Sequence, residues 1–323
     1  MQNPGFKKNQ PYRLGVIIVN YQTPELVETC LSTLAPQLGA VNGCCVIVDN
    51  ASGDGSLDRL TAWCEVSPAA DRLMVVSAPQ NGGFSAGNNI GLKHLNADLV
   101  LLLNSDAAVK PDALIALIRA ADHNSQASIF TPLIVDGDGE PQVSRFRRHR
   151  LLSEFVDGAQ TGPITKVFPK AETPIFPEDI DTEPDWVSFS AVMIRRQAIE
   201  DAGPMDEGFF LYYEDCDYCR RLTGKGHRIC YVPDAVFQHD AGGSTKLRER
   251  QAKSARLPEY YYRSRSRYFR KTYGPLGPIA ANLFWFAGRG VALARGIVGR
   301  PAPKLSANRY ADMWIGWRGD NKS

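Results

Sequence analysis

The sequence predicts an α/β protein whose mainly parallel sheet is covered by helices on both faces. In the first 125 residues, short apolar runs alternate with segments whose apolar residues recur at helical spacing. These runs are apolar along their whole length, which is typical of parallel strands buried on both faces. The chain has 323 residues, 44% of them hydrophobic, which is enough for one large domain or two modest ones.

Four strand–helix pairs are expected in this first part. The first strand, 14–19, precedes a helix over 23–37, in which Thr23 is a candidate N-cap and Pro24 takes the first helical position. The remaining predicted strands are 44–50, 72–78 and 98–104, and the remaining helices are 56–66, 85–95 and 110–123. A repeated strand–helix order of this kind builds a parallel sheet.

The pattern changes after residue 125. Residues 129–146 resemble two strands around an Asp-Gly turn, and 157–185, rich in Pro, Gly and charge, is expected to be a long loop. A strand over 186–196, a short helix ending at Gly203 and a helix from about Glu214 to Thr223 complete this part.

Charge is unevenly distributed along the chain. The net charge is +2, but residues 246–323 hold 17 Lys/Arg against 4 Asp/Glu, which leaves an acidic body with a basic tail. Such a tail suggests contact with an anionic surface, either nucleic acid or lipid. The segment 277–298 is apolar but contains Arg289 and Arg295, so it suits an interfacial helix or a helix packed on the body. The basic residues before it fall on one helix face: Arg263, Arg267, Arg270 and Lys271.

Cysteine usage and the N-terminus point to the cytoplasm. The seven cysteines are expected to be reduced and buried, and Cys216 and Cys219 lack the further ligands of a metal site. The first ten residues lack the apolar core of a signal peptide, and no stretch reaches the ~18 apolar residues of a spanning helix. We therefore expect a cytoplasmic protein, either free or peripheral on the inner face of the plasma membrane.

Polar side chains end several of the predicted strands. Asn20, Asp49 and Asp106 stand at or just after strand C-termini, and "LVLLLNSDAAV" is the most apolar strand in the chain. Ligands of parallel sheets bind at this edge, so the three side chains should converge on one crevice. The alternative is that they are simple turn formers. Neither a dinucleotide-binding nor a P-loop motif is present.

A second cluster of acids follows an aromatic run. Glu214, Asp215 and Asp217 come directly after "FFLYY". Three acids in the first turn of a helix are favoured by its dipole, which would make them a surface feature only. A carboxylate beside aromatic side chains is also a good setting for a general base.

Five stretches together resemble an inverting glycosyltransferase of family 2 with the nucleotide-diphospho-sugar transferase (GT-A) fold. They occur in the family's order between about residues 14 and 245: "VIIVNYQTPELVETCLSTL", "VIVDNASGDGS", "NGGFSAGNNIGL", "LLLNSDAAV" and "DEGFFLYYEDCDYCRRLTGKGHRICYVPDAVFQHDAGGS". The Asn-x-Asp and Glu-Asp-x-Asp forms, and the tail "YYYRSRSRYFRKTYG", are similar to the rhamnosyltransferase branch, which builds cell-surface polysaccharides.

The resemblance implies a donor site on the first half of the chain. A divalent cation, Mg²⁺ or Mn²⁺, would stabilise the departing diphosphate, with Asp106 as the strong ligand and His239 as a further ligand or a diphosphate contact. His239 is alternatively a packed histidine at a strand end. The other expected donor contacts are Asp49, Asn20 and Tyr21 around the base, Asn104 and Ser105 at the ribose or sugar, and Gly83, Phe84 and Asn88 beside the nucleotide.

The same resemblance implies one base on the acceptor side. Asp215 is the candidate, with Glu214 in reserve, while Asp217 is expected to support Arg220 or Arg221. Trp186 and Tyr213 are expected to form an acceptor-sugar platform or to pack in the core.

We accordingly expect dTDP-rhamnose as the donor and a saccharide or lipid-linked saccharide as the acceptor. Alternatives are another UDP- or dTDP-sugar, or an inactive sugar-nucleotide-binding protein; a nucleotidylyltransferase and a nucleic-acid-binding tail are weaker rivals. The expected division is a catalytic domain over 1–245, with a nucleotide-binding half at about 12–125 and an acceptor half at 126–245, and a basic helical extension over 246–323.

Overall fold

The structure is a computed structural model, and it describes residues 6, 10–239, 253–297 and 299–319. Its strands are β1 (Tyr12–Asn20), β2 (Gly43–Asp49), β3 (Leu73–Ser77), β4 (Ala97–Asn104), β5 (Ala107–Val109), β6 (Ala127–Val135), β7 (Arg145–Phe146), β8 (Pro174–Ile175), β9 (Trp186–Val187), β10 (Ala191–Arg195) and β11 (Arg228–His239). Its helices are α1 (Pro24–Leu38), α2 (Ser56–Val66), α3 (Gly83–Leu92), α4 (Ala113–His123), α5 (Leu151–Ala159), α6 (Gly162–Val167), α7 (Arg196–Ala202), α8 (Glu214–Thr223), α9 (Glu259–Tyr273), α10 (Gly277–Ile297) and α11 (Arg309–Asp312). The expected boundary at residue 245 lies outside the described residues.

The main sheet has eight strands in the order β3-β2-β1-β4-β10-β6-β11-β5. Strands β1 to β4 are parallel to one another, as the sequence predicts. In the second half, β10 runs antiparallel between β4 and β6, and β5 runs antiparallel beside β11. The α/β class is confirmed, with a sheet that is parallel in the first half and mixed in the second.

Side chains on the two faces of this sheet enter two separate apolar layers. Val16 and Ile18 of β1 pack in one layer with α1, α2 and α4, whereas Ile17 packs in the other with α3, α7 and α8. This alternation follows from the two-residue period of a strand, and it explains why β1 is apolar throughout. Cys219 of α8 is buried in the second layer, which agrees with a packing role for that cysteine.

The prediction of a hairpin over 129–146 is wrong. Strand β6 pairs with β10 and β11, while β7 pairs with β8 and β9 in a separate three-stranded sheet. The Asp-Gly turn does form, because Oδ1 of Asp136 accepts hydrogen bonds from the backbone N–H groups of Asp138 and Glu140. A single bridge between Val135 and Pro141 follows it, and the chain then leaves the main sheet.

Two further expectations in this region need correction. Residues 157–185 are not one loop, since they contain the end of α5, helix α6 and strand β8. The strand expected over 186–196 is divided into β9 and β10, which belong to different sheets. Ser188 lies at the break, where its hydroxyl accepts a hydrogen bond from the Ser190 N–H at 3.3 Å and so competes with strand pairing.

The C-terminal helices pack directly on the body. A Cβ atom on Gly288 of α10 would lie 2.0 Å from the carbonyl oxygen of Phe155 in α5, so only glycine permits this approach. Beside the contact, Arg265 of α9 donates to Glu154 at 2.6 Å and to Asn282 at 2.8 Å, and all three side chains are buried. Among the described residues, no helix combines the length and apolar character needed to cross a membrane.

Candidate active site

The strand ends predicted to converge do lie at one edge of the sheet. Asn20 of β1 is in register with Asp49 of β2, and its neighbour Val19 is in register with Asn104 of β4. The Asn20 amide donates to Oδ1 of Asp49 at 2.8 Å, and the Ser52 hydroxyl donates to the same oxygen at 2.6 Å. Asn20 and Asp49 are both buried, so they form the floor of this edge rather than an open surface.

A cleft lies above this edge. It is lined by Val19, Tyr21, Thr23, Asn50, Asn81, Gly83, Phe84, Asn104, Ser105, Phe210 and Leu211. Five of the predicted donor residues therefore line one cavity: Tyr21, Gly83, Phe84, Asn104 and Ser105. Three others do not line it, because Asn20 and Asp49 are covered and the Asn88 amide donates to the carbonyl of Phe84 within α3.

Several residues of this cleft were missed as donor-cleft residues from the sequence. Asn50 donates to Asn81 at 2.9 Å and to the Gly83 carbonyl at 3.1 Å, and it directly follows Asp49. The strand-end rule that identified Asp49 could therefore have found Asn50. Phe210 and Leu211 come from the second half of the chain, and no local pattern places them here.

Helix α3 joins the two halves of the chain at this cleft. Gly83 has φ +80°, and a Cβ atom there would lie 2.0 Å from the carbonyl oxygen of Phe210. The next residue, Phe84, donates its N–H to that same carbonyl at 2.8 Å. Asn89 then bonds both backbone groups of Met205 at 2.9 Å. The segment leading to α8 is thus held against α3 at the cleft.

The predicted metal ligands are adjacent to each other. Oδ1 of Asp106 lies 3.1 Å from Nε2 of His239, and the Asn104 amide nitrogen lies 3.4 Å from the same ring nitrogen. Strand β5 brings this about, because its residues 107–109 pair with the end of β11. No group of three or more His, Cys, Asp or Glu side chains suited to a metal occurs among the described residues. Two protein ligands would leave the other positions to water and phosphate oxygens.

Two consecutive residues with a left-handed backbone precede the acidic helix. Tyr212 and Tyr213 have φ +69° and +64°, which is a costly conformation for side chains of this size. They turn the chain so that α8 begins at Glu214 directly after the cleft residues Phe210 and Leu211. The strain lies at the point where the two halves of the site meet.

Burial separates the two neighbouring carboxylates of α8. Glu214 is only 7% exposed, whereas Asp215 keeps more exposed surface. Burial raises the pKa of Asp215 to about 6, although the Cys216 N–H donates to its Oδ1 at 2.8 Å. Burial, and then the charge of Asp215, raise the pKa of Glu214 well above its ordinary value. Ionisation of either carboxylate opposes ionisation of its neighbour, and Glu214 is the more deeply buried of the two.

Asp217 is a buried anchor for three cations. It forms ion pairs with Arg220 at 3.0 Å and Arg221 at 3.3 Å, which confirms the support role predicted for it. Lys271 of α9 binds Asp217 at 2.6 Å and Asp206 at 2.7 Å, and Arg267 binds Asp206 as well. Much of the predicted basic face of α9 thus faces acids of the body.

The two predicted acceptor residues lie among other aromatic rings. The Trp186 ring stacks on Phe146 at 4.1 Å between centroids, so one of its faces is already covered. Tyr213 is buried, and its ring lies 5.3 Å from that of His149. Tyr213 and His149 both line a polar cavity of about 360 Å³, together with Glu154, Asp157, Tyr261, Arg265 and Arg309 among others. Burial lowers the pKa of His149 to about 4, so this imidazole is neutral at pH 7.

Comparison with solved structures shows the fold. The mannosyltransferase PcManGT from Pyrobaculum calidifontis, in complex with GDP-Man and Mn²⁺, superposes with a TM-score of 0.57 at 17% identity. The match covers 91% of this chain and 77% of that one. The predicted nucleotide-diphospho-sugar transferase fold is confirmed by this likeness.

Sequence comparison gives relatives that are named as sugar-transferring enzymes. The low-salt glycan biosynthesis hexosyltransferase Agl10 of Haloferax volcanii is 28% identical over 236 residues, which is 69% of this chain and 66% of that protein. The N-acetylglucosaminyl-diphospho-decaprenol L-rhamnosyltransferase of Mycobacterium tuberculosis is 31% identical over 156 residues, 46% of this chain and 48% of that protein. The chain thus matches between about half and two thirds of these relatives' length.

The family model described as Glycosyl transferase family 2 matches residues 15–184, which is more than half of the chain. The matched residues contain the cleft-lining donor residues of the first half and Asp106, and they end before α8. Together with the fold and the rhamnosyltransferase relative, this match establishes that the chain belongs to glycosyltransferase family 2.

Proposed function

We propose that the chain is an inverting glycosyltransferase that moves a sugar from a nucleotide-diphosphate donor to a hydroxyl of a saccharide acceptor. The observation that carries this proposal is the position of Asp215. This carboxylate is partly exposed, has a pKa of about 6, and lies four residues after Leu211. Leu211 itself lines the cleft. Inversion by single displacement requires one base on the acceptor side of the sugar, and a carboxylate with a pKa near the working pH suits that task.

The donor would occupy the cleft at the sheet edge. Tyr21 and Asn50 would flank the base and ribose, and Asn104 and Ser105 would face the sugar end. Asp49 would act mainly through Asn20 and Ser52, since its carboxylate already accepts from both. The mycobacterial and other rhamnosyltransferase relatives favour dTDP-rhamnose, with another UDP- or dTDP-sugar as the alternative.

A divalent cation fits the Asp106–His239 pair. A carboxylate oxygen and an imidazole nitrogen 3.1 Å apart are ligands that Mn²⁺ accepts, whereas Mg²⁺ is bound almost entirely by oxygen. We therefore propose Mn²⁺ ahead of Mg²⁺. When bound, the cation would neutralise charge that develops on the departing diphosphate.

The residues of α8 would handle the proton. Asp215 would accept the proton of the acceptor hydroxyl while that oxygen attacks the anomeric carbon. Burial and the charge of Asp215 raise the pKa of Glu214, which opposes a second negative charge beside the reacting centre. The ion pairs of Asp217 would keep the first turn of α8 in place.

The acceptor would enter through the polar cavity beside Tyr213. Its lining of tyrosines and charged side chains suits the hydroxyl groups of a saccharide. Because the mycobacterial relative is named for a diphospho-decaprenol acceptor, we propose a lipid-linked saccharide. Trp186 does not line this cavity, but it stacks on His149, which does, and it would support the wall from behind.

We further propose the division of labour expected from the sequence. Residues from about 12 to 125 would bind the donor, 126–245 would bind the acceptor and carry the base, and 246–323 would form a basic helical extension. The protein would work in the cytoplasm on the inner face of the plasma membrane, where a lipid-linked acceptor is available, without a nucleic-acid partner.

A donor screen tests this function. Thermal melting with dTDP-rhamnose, other dTDP-sugars and UDP-sugars, each with Mn²⁺, with Mg²⁺ and with chelator, should give one donor class that raises Tm. Turnover should then release the nucleoside diphosphate only when an acceptor is added. If a donor binds but no acceptor supports release, the sugar-nucleotide-binding alternative is favoured.

A further inference from the structure

Helix α10 is mostly apolar on its exposed side as well as on its buried side. Its inner face packs on the body through Ala281, Trp285, Gly288 and Ala292. A helix that is apolar on all sides is normally enclosed by protein or lipid. The outer half of α10 therefore requires a second surface.

The outer half carries a continuous apolar stripe. Leu276 just before the helix, then Leu283, Leu293 and Ile297, are 70%, 59%, 53% and 87% exposed. Phe284, Ala287, Gly290 and Ala294 are also exposed between them. The two arginines of α10 do not interrupt the stripe, since Arg289 is buried against Tyr310 and Pro303 and Arg295 is half-buried near the helix end. We call the exposed apolar residues between 276 and 297 the outer face of α10.

Aromatic and basic side chains border this outer face. Tyr310 and Trp314 are exposed, and each stacks on Phe286 of α10 at about 6 Å between centroids. Arg300, Lys304 and Arg318 are exposed in the segment that follows α10. Between residues 260 and 319 the only acidic residue is Asp312, which is buried and bound to Arg256. An apolar face with Tyr and Trp at its edge and cations around it has the composition of a membrane interface.

We infer that the outer face of α10 docks the enzyme on an anionic lipid bilayer, with the apolar stripe among the acyl chains. The exposed cations would lie at the headgroups. The inference deepens the proposed function, because a lipid-linked acceptor would then be met at the same surface. The helix would lie in the interface and not cross it, in agreement with the absence of a spanning helix among the described residues.

The positive charges around the outer face of α10 argue against a second copy of the chain as its partner. A symmetric dimer through this face would bring the cations of both copies together, and residues 260–319 supply no exposed acid to offset them, since Asp312 is buried. An anionic bilayer neutralises these charges, so lipid is the partner that both the apolar stripe and its border fit.

Vesicle sedimentation of the full chain tests the inference without any catalytic step. The wild type should sediment with phosphatidylcholine vesicles that contain about 30% phosphatidylglycerol, and much less with phosphatidylcholine alone. Leu283→Glu/Leu293→Glu should lower vesicle binding at least tenfold, since charge and lost burial both oppose insertion. Val66→Glu is the matched control, because Val66 is 83% exposed on α2, and it should sediment like the wild type.

Three results would overturn the inference. The first is a wild type that remains in the supernatant with anionic vesicles. The second is a double variant that binds these vesicles as well as the wild type does. The third is a wild-type dimer, seen by sedimentation velocity, that the double variant abolishes. If the double variant does not fold, quenching of wild-type tryptophan emission by lipids with brominated acyl chains decides, and absence of quenching counts against insertion. Nucleoside diphosphate release with a water-soluble acceptor should be equal in all folded variants, so failure of docking and failure of the glycosyltransferase proposal are separately visible.

Discussion

At the scale of single residues, Glu214 and Asp215 are neighbours with different access to water. Glu214 is buried and Asp215 is partly exposed. Because both carboxylates are surrounded by protein, ionisation of one opposes ionisation of the other. Because Asp215 is the more exposed of the two, it is the member that we propose as the base.

Replacing each carboxylate by its amide should separate the two roles. Asp215→Asn should lower kcat by about 10²–10⁴-fold and leave donor Kd nearly unchanged, because the base contacts the acceptor hydroxyl. Glu214→Gln should cost clearly less, since burial raises the pKa of Glu214 and disfavours the charged form that a base needs. Donor Kd by calorimetry and kcat by diphosphate release, measured side by side, check this. An inactive Glu214→Gln beside an active Asp215→Asn would reverse the assignment.

The pKa of Asp215 also sets a pH dependence. Below a pH of about 6 this carboxylate is protonated in the folded protein, so kcat/KM should fall tenfold per pH unit on the acid side. Its pKa is raised from 3.8, so its contribution to stability is present at low pH and is lost as pH rises through about 6. Asp215→Asn should therefore melt higher than the wild type at pH 8, and this advantage should shrink as the pH falls below about 6 and disappear below the unfolded-state pKa of 3.8. A kcat/KM that is constant down to pH 4.5 would contradict the assignment.

Asp49 is a case where the sequence identified the residue but not its contacts. Its position at a strand end predicts a place at the binding edge, and it lies there. Its hydrogen bonds to Asn20 and Ser52 depend on the local turn after β2 and on register with β1, which a single sequence does not reveal. The same holds for Asn88, whose amide is used within its own helix.

Asp49→Ala should therefore affect both binding and stability. Donor KM should rise with little change in kcat, because the contacts it supports are equal in the ground and transition states. The free energy of unfolding should fall by about 1–3 kcal/mol, since buried donors of Asn20 and Ser52 lose their acceptor. Urea unfolding and steady-state kinetics measure the two effects. A large loss of kcat at saturating donor would contradict this account.

At the scale of elements, β1 to β4 with their helices were predictable, and the segments between β6 and β10 were not. The first set has long apolar runs with helices between them, a strong local signal. Strands β7, β8 and β9 have two residues each, and their pairing partners are distant in sequence. Periodicity has no meaning over two residues, so the second sheet and the break at Ser188 depend on tertiary contacts.

Helix α9 holds the segment around α8 through ion pairs. Lys271 binds Asp206 and Asp217 on either side of the segment that carries Phe210 and Asp215. Lys271→Met should lower kcat severalfold and loosen the first turn of α8, with donor Kd changed less. Arg263→Met on the same helix is the matched control, because its ion pair with Glu259 is about half exposed and contributes little. Equal kcat in both variants would show that the bracing contact is not needed for catalysis.

At the scale of the whole molecule, one continuous sheet carries both halves of the site. The proposed donor edge lies on β1, β2 and β4, and β10 and β6 connect this part to β11 and His239. The basic extension was predictable as helices from its composition. Its contacts were not, because Lys271 is 54 residues from Asp217 and 65 from Asp206 along the chain.

The anomeric configuration of the product tests the central claim most directly. With the donor identified by the melting screen, the sugar transferred by the wild type should show the configuration opposite to that in the donor, as measured by proton NMR of the purified product. A single displacement assisted by one base, Asp215, allows only this result. A product that retains the donor's configuration would require a different mechanism and would contradict the account.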